Sequence, residues 1–70
     1  MSDDLDWQLW GRDVVRPARE KRNWTRETLA ERSAVAASTI RNVEMGRFKP
    51  TGATVTKLCL ALGLVVPWAS

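Results

Sequence analysis

TRETLAERSAVAASTIRNVEMG, Thr25 to Gly46, decides how this 70-residue chain is read. Its apolar residues Leu29, Ala30, Val35, Ile40 and Val43 have the spacing of two short helices. Ser33, Ala34 and Ala36 lie between them, and small side chains suit a tight corner where two helices meet. Thr25 is a good N-cap for the first of these helices, which runs to about Ser33. The second spans about Ala37 to Met45, and Gly46 can take the left-handed conformation that ends it.

After Gly46 the loop Arg47-Phe48-Lys49-Pro50 leads to Thr51, which caps a helix running to Leu62 and stopping at Gly63. Val55, Leu58, Cys59 and Leu62 have helical spacing and should face the core. Upstream, a helix is expected over Asp13 to Arg22, with Val14, Val15, Ala18 and Arg22 on one face. If Asp13 caps it, Pro17 falls in the first turn, where a missing N–H costs little. If the helix is continuous from Asp4, a kink is expected near Arg16, the residue that Pro17 constrains. Asn23 suits a left-handed helix end. The one strand-like run, Leu64-Val65-Val66, is too short for a sheet of its own. The reading is an all-α, compact four- to five-helix domain. An acidic, Trp-containing extension occupies residues 1–12, the folded body 13–63, and an apolar tail 64–70.

Composition narrows the chemistry. Seventy residues make one small domain, which buries only about 60% of the surface exposed by its unfolded chain. One cysteine and no histidine leave no internal disulfide and no zinc site, and no cofactor is expected. No run approaches the roughly 18 apolar residues of a membrane span, so a cytoplasmic protein is expected. With no histidine, no tyrosine, no paired carboxylates in the core and Cys59 expected to be buried, an enzyme is not indicated. Residues 1–13 carry a net charge of −3 and residues 14–70 a net +6. A basic body suits a polyanionic partner.

The segments AREKRN, LAERSAV, STIRNVEMG, the Pro50 loop and VTKLCLALG form a set, with Leu29, Ala30, Val35, Ile40, Glu44, Gly46, Pro50 and Leu62 in matching positions. Over about residues 11–63 the chain resembles the lambda-repressor and Cro-like helix-turn-helix family of phage and bacterial transcriptional regulators. The resemblance implies a sequence-specific regulator of double-stranded DNA, of the phage Cro-like or immunity repressor kind. One helix would lie across the DNA backbone and the next, about 37–45, would enter the major groove. It also implies a homodimer on two half-sites about 34 Å apart, for which Leu64–Trp68 and the end of the last helix offer a contact. Two other readings stand beside it: the antitoxin of a toxin–antitoxin pair, and a protein-interaction module that has lost DNA binding.

The family's base-reading positions fall on Ala37, Ser38 and Asn42, with Arg41 beside them. Asn42 can pair with adenine, Ser38 with donor or acceptor edges, and Ala37 with a thymine methyl. Arg41 could reach guanine or hold a phosphate. Phosphate contacts are expected from Arg26, Thr39, Arg47 and Lys49. Arg19 and Glu44 are expected to form a structural ion pair. The chain departs from the family at Ala34, usually glycine, at Ala36, usually a capping Ser or Thr, and at Arg26, often a glutamine that braces the next helix. Trp24 should fill a core position. Trp7, Trp10 and Trp68 either enlarge the core or form a surface for a protein partner. The acidic start is either solvated, set against a helix dipole, or a repellent for DNA.

Overall fold

The first helical body is set by one proline. The computed structural model describes residues 6–67. In it α1 (Trp7–Trp10) passes through a π turn (Gly11–Val15) into α2 (Arg16–Lys21) without leaving the right-handed helical region. Pro17 has no N–H to give and its ring crowds the carbonyl four residues back. The wider π turn, closed by the Arg16 N–H on the Gly11 carbonyl, accommodates it. The irregularity therefore lies one turn before the kink expected near Arg16.

Asp6, not Asp13, caps this helix, accepting from the N–H groups of Gln8 at 3.1 Å and Leu9 at 3.2 Å. The boundary drawn between residues 12 and 13 falls inside the helix. A π turn takes in one extra residue, so Trp10 and Val15, five apart, both reach the core. Trp10 is only 6% exposed, which removes it as a contact for a protein partner. Val14, expected beside Val15 on the core face, is exposed, as is Arg22.

The rest follows the sequence closely. Thr25 accepts from the Thr28 N–H and starts α3 (Arg26–Ser33); Thr51 accepts from the Thr54 N–H and starts α5 (Gly52–Leu62). Between them lies α4 (Ala37–Glu44), capped at its end by Met45. Asn23, Gly46 and Gly63 take the left-handed conformation. Leu29, Val35, Ile40, Val43, Val55, Leu58, Cys59 and Leu62 join Trp10 and Val15 in one buried cluster. Ala30 is half-buried against it.

Trp24 is half-buried at the rim, with the guanidinium carbons of Arg32 and Arg22 at 4.7 and 5.6 Å from the ring centre. Leu64 and Val66 pack against the core, while Val65 and Leu60 stand 82% and 73% exposed. Asp3, Asp4, Leu5 and Trp68 lie outside the described residues. Among those residues there is no strand, and no helix is long and apolar enough to cross a membrane.

Candidate nucleic-acid interface

The corner between α3 and α4 is built from three small side chains. Ser33 Oγ donates to the Leu29 carbonyl at 2.7 Å and accepts from the Val35 N–H at 3.2 Å, so one hydroxyl ties the end of α3 to the turn. Ala34 takes φ 61° and ψ 28°, a conformation that costs an L-residue about 1 kcal/mol or more. Ala36 sits at the N-cap of α4 with no side-chain acceptor to offer. Both departures read in the sequence thus have a structural counterpart.

The other end of α4 is held by buried charge. Arg19 on α2 grips Glu44 with two donors: Nε to Oε2 at 2.8 Å and Nη2 to Oε1 at 3.0 Å. Its Nη1 donates to the Trp24 carbonyl at 2.8 Å. The Glu44 side chain is fully buried. Its hydrogen bonds push the Arg19 guanidinium up from its ordinary value, and burial opposes this less strongly. The expected pair is therefore present in bidentate form.

A third member was not expected. Arg26 Nε donates to Glu44 Oε1 at 3.2 Å, so the residue in place of the family's bracing glutamine braces α4 through Glu44. Arg26 is half-buried and starts α3. Nothing in the composition of RETLAERS pairs it with a carboxylate 18 positions on; the contact arises only once the corner has folded.

The remaining candidates lie along α4 and just beyond it. Ser38 and Arg41 are exposed; Ala37, Thr39 and Asn42 are half-buried. Arg47 and Lys49 are exposed in the loop that follows. That loop is tied to the helix by the Arg47 N–H, which donates to the Asn42 carbonyl at 2.9 Å. Among the described residues, the side chains of Ser38, Thr39, Arg41, Asn42, Arg47 and Lys49 form no hydrogen bond or ion pair with the rest of the protein. Most arginines elsewhere are engaged. Arg12 is on Asp13, Arg16 on Glu20, and Arg22 on the carbonyls of Ala18 and Leu62. The free donors thus concentrate on α4 and its loop, although Lys21, Lys57 and Arg32, the last stacked over Trp24, also make no hydrogen bond or ion pair among the described residues.

Two further residues shape the site from the first helical body. Gly11 lies against α4 so closely that a Cβ would stand 2.0 Å from the Val43 carbonyl oxygen. Gln8 Nε2 donates to the Gly46 carbonyl at 3.2 Å. The sequence alone places both in the extension of residues 1–12, apart from the folded body that holds the site. The available signal was Asp6 followed by WQLW, an N-cap ahead of a helical stretch. Cys59 is fully buried, and burial pushes its thiol pKa up, so it offers no thiolate nucleophile.

The family model described as helix-turn-helix matches residues 15–66. No curated protein and no solved structure matches the chain.

Proposed function

The chain belongs to the lambda-repressor and Cro-like helix-turn-helix family of DNA-binding transcription regulators, and from that premise we propose that it is a sequence-specific repressor of the phage Cro-like or immunity type. The observation that carries this is the concentration of uncommitted donors on α4 and the loop after it, while Glu44, the one carboxylate in α4, is neutralised in the interior. A buried, doubly paired carboxylate leaves the outer surface of α4 free to approach a polyanion.

In this reading α4 enters the major groove. Asn42 pairs with an adenine edge, Ser38 bonds a neighbouring base, and Ala37 packs on a thymine methyl. Arg41 reaches a guanine or a phosphate. Arg47, Lys49 and Thr39 hold the backbone, joined by the part of Arg26 not committed to Glu44. Positioning contacts are at least as many as base contacts, so groove shape and deformability share in the choice of sequence. Two copies occupy half-sites about one helical turn apart, meeting through exposed Leu60 and Val65.

Selection of binding sequences from a randomised duplex library by the purified protein tests the proposal. The expected result is a two-fold symmetric motif whose preference relaxes at one position in Asn42→Ala. An Asn42→Ala protein selecting the unchanged motif overturns the base-reading assignment. Absence of any salt-dependent duplex binding overturns the function.

A further inference from the structure

The Gln8–Gly46 contact joins a residue outside the family match to the hinge of the proposed phosphate-binding loop. Gly46, at φ 67°, is the residue at which the chain turns out of α4. Its N–H donates to the Val43 carbonyl at 3.1 Å, and the next N–H, of Arg47, donates to Asn42 at 2.9 Å. The Gly46 carbonyl belongs to the same peptide plane as the Arg47 N–H. Among the described residues its hydrogen-bond partner is the Gln8 amide. That peptide is therefore held from both sides, by Asn42 on α4 and by Gln8 on α1.

Gln8 is itself fixed. Its backbone N–H is held by the Asp6 cap, and three residues on, Gly11 abuts the Val43 carbonyl. The Gln8 side chain also fits closely over the turn: a Cβ on Gly46 would stand 3.3 Å from the Gln8 Cβ. The bond opens onto a groove lined by Asp6, Gln8, Leu9, Arg12, Met45 and Gly46, where water competes for it. Its net contribution to stability is correspondingly small. Its effect is directional, because the peptide plane it fixes sets where the Arg47 side chain leaves the backbone.

We propose that Gln8 is a positioning residue for DNA binding: without touching DNA, it orients the Gly46–Arg47 peptide so that Arg47 reaches a backbone phosphate. This rests on the reading of Arg47 as a phosphate contact.

The test is a double-mutant cycle read through salt dependence, using the full chain and a short mixed-sequence duplex. Gln8→Met keeps the length of the side chain and removes the donor. It is expected to weaken binding about fivefold, the scale of one lost hydrogen bond. It should also flatten the slope of log Kd against log salt by about one, the signature of one lost phosphate contact. Gln8→Glu, which replaces the donor with an acceptor, should act in the same direction. The melting temperature of free Gln8→Met should stay within about 5 °C of the parent. Arg47→Ala should flatten the slope equally, and the double variant should lose no more than Arg47→Ala alone. An unchanged slope in Gln8→Met, or losses that simply add, overturns the role of Gln8 and leaves Arg47 standing. An unchanged slope in Arg47→Ala overturns the phosphate assignment first, and the role of Gln8 with it.

Discussion

The two ends of α4 are held by opposite means. At its C-terminal end Arg19 and Arg26 converge on the buried Glu44 carboxylate, Gly11 packs against the Val43 carbonyl, and Gln8 bonds Gly46. At its N-terminal end an alanine in the left-handed region leads to an alanine cap whose backbone carbonyl accepts from the Ile40 N–H but whose side chain bonds nothing. The first end spends buried charge and close packing to fix one geometry. The second lacks the cap acceptor that would stabilise its first turn, and it carries Ala37 and Ser38, two of the proposed reading residues. The C-terminal end is thus held by buried charge and close backbone contact, and the N-terminal end by the buried side chains of Val35 and Ile40 without a side-chain cap.

Removing the anchor should do the most damage. Glu44→Ala leaves the Arg19 guanidinium, buried and raised in pKa by that same partner, without its counter-charge. Arg19 cannot shed its proton to escape, so the loss is expected to be about 4 kcal/mol. Urea denaturation would show it as a midpoint shift at constant m-value. A loss below about 1 kcal/mol would mean that the buried pair is not what secures α4. Gly11→Ala comes next. Its added carbon meets a backbone oxygen, which cannot rotate away as a side chain could. The expected cost is about 3 kcal/mol, and an unchanged midpoint would show that the first helical body does not press on α4 as described.

These two predictions also mark where the sequence was legible. Thr25, Thr51, Gly46 and Gly63 each announced a helix end through local chemistry, and each stands at one. The core residues of α3, α4 and α5 followed from period alone. Arg19 and Glu44 came from the family resemblance, since a separation of 25 residues has no local signature. The first helical body was harder. Pro17 signalled an irregularity, but a straight helix and a π turn differ by one residue of register, and that residue decides whether Val14 or Val15 shares the inward face of Trp10. Arg26 and Gly11 acquire their roles only across the folded corner. Their own sequence neighbours carry no trace of Glu44 or Val43. Of the proposed reading face, position on α4 was legible, and the absence of competing internal partners was not.

Asn42→Ala acts on the reading surface and should leave the anchored end untouched. Asn42 meets the loop through its backbone carbonyl, so the side chain can be cut back without disturbing Arg47. Discrimination at one base pair should fall by about 1–3 kcal/mol, with the salt slope preserved. A fall in slope instead would show that Asn42 contacts phosphate, and the division between gripping and reading along α4 would need to be redrawn.

The smallest expected effects lie at the sparse N-terminal end, and they test the comparison most sharply. Ala36→Ser supplies an acceptor for the unpaired N–H groups of the first turn and should stabilise the domain by about 1 kcal/mol. Ala34→Gly removes the strain of a positive φ but frees the unfolded chain, so the gain should be smaller, about 0.5 kcal/mol. Summed, they should raise the melting temperature by roughly 6–12 °C. The sites are two residues apart in one turn, so coupling is expected, and the double variant should be compared with each single one. The informative measurement is then sequence discrimination. If the stabilised proteins bind the selected motif with unchanged preference, the bare end is a stability deficit and the anchored end alone sets the register of α4. If discrimination shifts while the anchor is intact, the uncapped first turn adjusts to DNA on binding, and the two ends of α4 have separate functions.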